Sequence, residues 1–288
     1  MNLLTSPRVV KEIIEKYNFR FSKSLGQNFL IDRNIVEKIV EGAGITPEDR
    51  VLEIGPGIGT LTQELIARAG QVVAVEIDRN LLPILEETLA YPANLTIVHG
   101  DILKIDLDKL VNEFFKGQDF KVVANLPYYI TTPIIMRFLE EELPFSTLTV
   151  MIQKEVAQRM VAQPATKEYG ALSLAIQYYT KPRIVCSVSS SVFMPKPKVD
   201  SMVIALDRRD SPPVQVEDRD MLFQVIRSAF AKRRKTLLNN LASGVLKEWD
   251  RDRVVEVLEA AQVDPQRRGE TLSIGEFANI ANNILHLQ

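Results

Sequence analysis

The 288-residue chain has a single cysteine, Cys186, and two histidines, His99 and His286, far apart in sequence. One thiol excludes a disulfide scaffold, and no Cys/His cluster has zinc-ligand spacing, so no metal-dependent chemistry is expected. Glycine and proline, at 13 and 15 residues, are too sparse for a collagenous or low-complexity chain. No apolar run reaches the roughly 18–20 residues of a membrane span. The opening Met1-Asn2-Leu3-Leu4 is followed by Arg8, Lys11, Glu12 and Glu15, which interrupt any secretory hydrophobic region. A cytoplasmic protein with no membrane partner is the expectation. Charge of one sign is not in excess either. Thirty-five basic residues against 37 acidic ones leave −2, which excludes wholesale coating of a polyanion and says nothing about local patches.

What is present, 46% apolar and 25% charged residues, is the composition of an ordinary globular protein long enough for two domains. From residue 50 onward short β-branched runs alternate with longer amphipathic ones, the pattern of an α/β parallel sheet. Strands are predicted at 51–54, 72–76, 95–99, 121–125 and 148–153. Helices are predicted at 61–69, 81–89, 107–115 and 133–139. A helix at 172–179 and strands at 183–188 and 199–206 come next, the last two without an intervening helix, as in an antiparallel pair finishing the sheet. The charged stretch 207–216, with Pro212-Pro213, reads as a linker. Beyond it the periodicity is helical throughout, at 222–230, 237–241, 254–261 and 274–285. Two domains are therefore expected: a catalytic one over 1–207, with 1–49 as an extension, and a small all-helical one over 208–288.

Glu53-Ile54-Gly55-Pro56-Gly57-Ile58-Gly59 joins the first of these strands to its helix, where glycines let the backbone turn sharply and approach a ligand closely. The spacing is not the dinucleotide fingerprint, and no Lys-Ser/Thr is placed to make a Walker loop. Glu76 ends the next strand about 20 residues on, where such folds place an acid against ribose hydroxyls. Asp101 lies just past the third strand and can accept a proton from a cofactor's adenine amine. Alone it is equally a cap for the helix that follows. These features are shared by NAD enzymes and methyltransferases, and fold cannot separate the two.

The fourth strand separates them. It ends in Asn125-Leu126-Pro127-Tyr128, at the same sheet edge as the glycine loop. The exocyclic nitrogen of adenine is a poor nucleophile because its lone pair is delocalised into the ring. The Asn125 side-chain oxygen and the Leu126 carbonyl are two acceptors for its protons, Pro127 biases Leu126 to an extended conformation, and Tyr128 offers a face for an extruded base. Methyl transfer from S-adenosylmethionine by in-line attack then needs positioning above all.

With these residues the chain resembles the ribosomal RNA adenine N6,N6-dimethyltransferases, and among them the small-subunit, kasugamycin-resistance type. The resemblance covers nearly the whole length. It includes Lys23-Ser24-Leu25-Gly26-Gln27-Asn28-Phe29-Leu30, Gln153-Lys154-Glu155-Val156 and Phe193-Met194-Pro195-Lys196-Pro197-Lys198-Val199-Asp200. It implies a Rossmann-like sheet and a cofactor pocket closed by Gln27, Asn28 and Leu30. Gly55, Gly57, Glu76, Ile77, Asp101, Ile102 and Asn125 would contact the rest of the cofactor. Phe193 would sandwich the target base against Tyr128. The implied reaction dimethylates two adjacent adenosines near the 3′ end of 16S ribosomal RNA within an assembling 30S subunit. Nothing in the sequence demands an oligomer.

A basic run, Arg227 with Lys232, Arg233, Arg234 and Lys235, is a candidate phosphate-binding patch or else a solvated helix face, and Lys196, Lys198, Arg267 and Arg268 are candidates to extend it. Two other functions share these features: a 23S ribosomal RNA adenine methyltransferase conferring antibiotic resistance, and a non-catalytic ribosome-assembly factor. The opening motif and Arg267-Arg268-Gly269-Glu270-Thr271-Leu272-Ser273 favour the small-subunit enzyme.

Overall fold

A computed structural model describes residues 4–22, 24–90 and 92–287. Met1, Asn2, Leu3 and Lys23 of the N-terminal motifs lie outside the described residues. The chain divides into two compact units. One comprises residues up to Ala157 together with Arg183–Arg208, the other Gln158–Pro182 together with residues from Arg209 onward. The expected boundary at 207/208 leaves 158–182 with the sheet; packing places that segment with the C-terminal helices, because Tyr169, Leu174 and Tyr178 are buried in their core.

Among the described residues the sheet-bearing unit has nine strands: β1 (Phe29–Leu30), β2 (Arg50–Ile54), β3 (Gln71–Glu76), β4 (Leu95–His99), β5 (Phe120–Asn125), β6 (Phe145–Gln153), β7 (Thr180–Val188, whose first residues fall in the other unit), β8 (Phe193–Met194) and β9 (Ser201–Arg208). Seven form one sheet in the order β4-β3-β2-β5-β6-β9-β7. The pairings from β4 through β6 are parallel, and β9 runs antiparallel to β6. Central strands read as continuous apolar runs because both faces are covered. Val51, Val72, Ala74 and Val123 enter one core cluster with Leu61 and Leu65 of the helix Thr60–Arg68 and Ile84 and Leu85 of the helix Leu82–Leu89. The strand order reverses between β2 and β5, and a crevice opens outside the carboxyl ends of strands at such a switch point.

Residues 4–49 form more than an extension. The helix Pro7–Lys16 starts with proline in its first turn, and the helix Arg33–Gly42 is capped by Asp32, whose carboxylate accepts the Ile35 N–H at 3.0 Å. Val36, Ile39 and Val40 of the second helix are buried in the same core. β1 pairs antiparallel with β8, Phe29 opposite Met194 and Leu30 opposite Phe193, in a separate two-stranded ladder. The expected helix over 107–115 is α-helical only over Leu107–Leu110 and continues in wider turns through Val111–Phe115.

The second unit is helical, with Arg219–Ala229, Leu237–Ala242, Arg251–Ala260 and Ile274–His286 capped by Asp218, Thr236, Asp250 and Ser273. Ser273 and Glu276 form a capping box. Among the described residues no helix is long and apolar enough to cross a membrane.

Candidate active site

The pairing of Ile54 with Ala124 on adjacent parallel strands sets the next residues, Gly55 and Asn125, side by side at the switch point. Gly55 and Gly57 take φ of 69° and 61°, left-handed values that side chains rarely adopt. A Cβ on Gly55 would project into open space, whereas one on Gly57 would lie 3.3 Å from the Phe29 ring. The glycine loop therefore has a bare floor at Gly55 and is backed at Gly57 by the N-terminal segment. Phe29 is fixed in turn by Phe19 and Phe21, with ring centroids 5.7 and 5.1 Å away.

A cleft runs past these residues, lined by Gln27, Asn28, Leu30, Gly55, Gly57, Glu76, Ile77, Asn125, Leu126, Pro127, Tyr128 and Phe193. The structure thus brings together every expected cofactor and catalytic residue except Asp101 and Ile102. Those two lie on the turn after β4, which is tied to β3 where the Gly100 N–H donates to the Glu76 carbonyl at 2.9 Å. Asp101 is partly buried, and its carboxylate accepts the Leu103 N–H at 3.0 Å within the turn, whereas the helix that follows is capped by Asp106, which accepts the Lys109 N–H at 2.9 Å, so the helix-cap alternative for Asp101 does not hold. Ile102 is buried.

Glu76 is 3% exposed and accepts N–H bonds from Asp78 at 2.7 Å and Gly57 at 3.3 Å. Burial outweighs these bonds and pushes its carboxyl up to about 7. Glu53, two residues before Gly55, also lines the cleft and is absent from the residues expected on sequence grounds. It is 1% exposed, and burial, with the nearby charge of Glu76, pushes it up to about 8. Glu53 Oε2 and Thr60 Oγ1 are buried on the cleft wall without a hydrogen-bond partner among the described residues. A buried acid inside an apolar strand was the available signal. Ile77, by contrast, is an apolar side chain left 44% exposed on the same wall, as suits a flat ligand.

Asn125 donates its amide hydrogen to the Asn28 carbonyl at 3.1 Å, which turns Nδ2 toward the N-terminal segment and leaves Oδ1 as the end available for accepting. The Asn28 side chain donates to the Gly26 carbonyl at 2.9 Å. Gln27 accepts the Ser22 N–H at 2.8 Å and donates to Asp78 at 2.7 Å, pinning the segment to the turn after β3. The Leu126 N–H donates to the Met151 carbonyl on β6 at 3.1 Å, and the Pro127 carbonyl accepts from the Thr131 hydroxyl at 3.1 Å, which starts the helix Thr131–Glu140. Tyr128 is partly buried beside this carbonyl, and Phe193 is 4% exposed on the opposite chain segment.

Lys196 and Lys198 are exposed on the loop after β8. In the helical unit Arg227, Lys232, Arg233, Arg234 and Lys235 are all exposed, yet they are not equivalent. Arg233 donates to Glu270 at 3.1 Å and to the Lys167 carbonyl at 2.9 Å. Arg267 is committed to Glu276 and to the Thr271 carbonyl. Both brace the unit's own fold.

The family described as ribosomal RNA adenine dimethylase matches residues 18–283. The ribosomal RNA small subunit methyltransferase A of Alkaliphilus oremlandii is 56% identical over 285 residues, covering 99% of both chains. Among solved structures, a dimethyladenosine transferase from Plasmodium falciparum superposes with a TM-score of 0.73 at 28% identity, covering 88% of this chain and 95% of that one. The 23S rRNA methyltransferase ErmE superposes with a TM-score of 0.67, also at 28% identity, covering 88% and 98%.

Proposed function

Because this chain belongs to the ribosomal RNA adenine dimethylases, we propose that it transfers methyl groups from S-adenosylmethionine to N6 of two adjacent adenosines near the 3′ end of 16S ribosomal RNA. It acts as a cytoplasmic monomer on an assembling 30S subunit. The observation that carries the chemistry is the Asn125 amide, held by Asn28 beside the bare floor at Gly55 with its oxygen free to accept.

The cleft suits the cofactor. Glu76 would accept ribose hydroxyls, Ile77 would cover the adenine, and the unpartnered oxygens of Glu53 and Thr60 would suit the polar methionine end, while Asp101, on the turn after β4, would accept the adenine amine. Gln27, Asn28 and Leu30 would close over that end. When bound, the cofactor supplies an electrophilic methyl group on a sulfonium.

The residues of the chain do the rest by placement. Asn125 Oδ1 and the Leu126 carbonyl hold the two amine protons of adenine, which draws the nitrogen lone pair out of conjugation and aims it along the cleft. Tyr128 and Phe193 stack on the two faces of the extruded base. Once one methyl is in place a single N–H remains, so the second transfer proceeds with one of the two acceptors engaged. Lys232, Arg234 and Lys235, with Arg227, Lys196 and Lys198, contribute phosphate contacts that are insensitive to sequence.

A relative 56% identical carries the small-subunit name, whereas ErmE shares half that identity, so the small subunit is the favoured substrate over 23S RNA. The intact acceptor pair argues against a purely structural assembly factor. The test is incubation with labelled S-adenosylmethionine and either undermethylated 30S particles or free 23S RNA, and then mapping of modified adenosines. Label on two adjacent adenosines of 16S RNA is expected. Label confined to 23S RNA, or none on any RNA, overturns the proposal.

A further inference from the structure

Arg137 is the one basic residue on the helix Thr131–Glu140, whose Ile134, Ile135, Phe138 and Leu139 are buried. Its side chain is only 19% exposed. A guanidinium is kept in such a place only when its donors are used. Here Nε donates to Glu141 at 2.6 Å, Nη1 to the Ile102 carbonyl at 2.5 Å and Nη2 to the Ile105 carbonyl at 2.7 Å.

Those two carbonyls belong to the turn that carries Asp101. The Asp101 carbonyl accepts the N–H groups of Lys104 at 2.8 Å and Ile105 at 3.0 Å, and Asp101 Oδ1 takes the Leu103 N–H. The other oxygen, Oδ2, has a 3.4 Å ion pair with Lys104, a side chain 82% exposed and so readily displaced by a better donor. Asp101 therefore has one oxygen committed to its own turn and one to offer. Where that oxygen points depends on what holds the turn. The same helix begins at Thr131, bonded to the Pro127 carbonyl, so it is anchored on the catalytic tetrapeptide at one end and grips the Asp101 turn near the other.

We infer that Arg137 is a positioning residue for cofactor selection: its forked donors to Ile102 and Ile105 aim the Asp101 carboxylate at the adenine amine. The inference rests on Asp101 having the cofactor role given above. Arginine is required because two carbonyls three residues apart are held by a planar fork while Nε is engaged elsewhere; a lysine reaches only one of them.

The test compares affinities of the full chain for S-adenosylhomocysteine and S-inosylhomocysteine, which replaces the adenine amine with a carbonyl, by calorimetry. The native chain should prefer the adenosyl form by roughly tenfold or more, the scale of one charge-assisted hydrogen bond. Arg137→Met should collapse this preference with inosyl affinity little changed, Arg137→Lys should give an intermediate ratio, and Asp101→Asn should abolish the preference. Arg137→Met in the Asp101→Asn background should cost nothing further. If Asp101→Asn collapses the ratio and neither Arg137 variant moves it, the inference fails while the Asp101 role stands. If Asp101→Asn leaves the ratio intact, the Asp101 role fails and the inference with it. A loss shared equally by both ligands marks Arg137 as merely structural; the lysine variant, which keeps the charge, supplies this readout should the methionine variant not fold.

Discussion

The hydroxyls of Tyr128 and Ser201 lie 2.7 Å apart, joining the aromatic ring of the catalytic tetrapeptide to the first residue of β9. Ser201 is fully buried, and burial raises the Tyr128 hydroxyl above its ordinary range, so the bond is made away from bulk water. It fixes the ring by its rim and leaves its face for the base.

Tyr128→Phe and Ser201→Ala should therefore each slow single-turnover methylation by a similar several-fold factor, and the double variant should be no slower than either. Tyr128→Ala should lose much more, on the order of the 1–3 kcal/mol that a stacked base contributes. Additive losses in the double variant would mean that the two hydroxyls act separately.

Asn125→Ala removes the acceptor proposed to act on the reacting amine. Turnover should fall by roughly 100-fold or more, by analogy with deletion of one polar group that stabilises a transition state. The cofactor dissociation constant should change only a few-fold. Methylation at the native rate would remove Asn125 from the reacting centre.

Glu76 and Glu53 set opposite pH trends for stability and binding. Both carboxyls are raised on folding, to about 7 and about 8, so the folded chain retains protons that the unfolded chain has already lost. Their contribution to stability is complete below the ordinary carboxylate range and is lost as pH rises through 7 and 8, at about 1.4 kcal/mol for each pH unit by which folding raises the pKa. The melting temperature of the cofactor-free chain should fall between pH 5.5 and 8.5, and Glu53→Gln should flatten the slope. Ribose hydroxyls donating to Glu76 favour its charged form, so cofactor binding should release a proton and tighten as pH rises through about 7. Calorimetry in buffers of different ionisation enthalpy measures that proton, and Glu76→Gln should abolish it.

Replacing Lys232, Arg234 and Lys235 by glutamine should weaken RNA binding and reduce the slope of log affinity against log salt by roughly 2, since each phosphate contact contributes about 0.7–0.9. Arg233→Gln, which breaks the bonds to Glu270 and Lys167, should instead lower the melting temperature of the chain. An unchanged salt slope in the triple variant would return that run to a solvated face.

The parallel strands and their loops are legible in the sequence because continuous β-branched runs and a glycine cluster are local signals, and Asn125 and Glu76 stand where those runs stop. β1 and β8 are not, since two residues have no periodicity and exist as strands only through each other. The helices Pro7–Lys16 and Arg33–Gly42 do carry signals, in Pro7, Asp32 and the apolar spacing of Val36, Ile39 and Val40, but these lie outside the strand-and-helix alternation that marks the sheet. Residues 158–182 look sheet-associated in sequence order, and only the burial of Tyr169 and Tyr178 among distant helices places them elsewhere. Arg137 reads as an ordinary helix residue until its fork meets two carbonyls more than 30 positions earlier.

The β1–β8 ladder has a consequence for a chain still emerging from the ribosome. The glycine loop, Glu76, Asn125 and the Asn28 carbonyl it bonds can be assembled once β5 is made, but Phe29 and Leu30 stay without their strand partner until Phe193 and Met194 have been synthesised. The proposed methyl-donor pocket and the proposed aromatic clamp for the base are thus completed in one late, long-range closure. The Leu30 wall of the cleft and Phe193 take their places in a single event, after the rest of the cleft has formed.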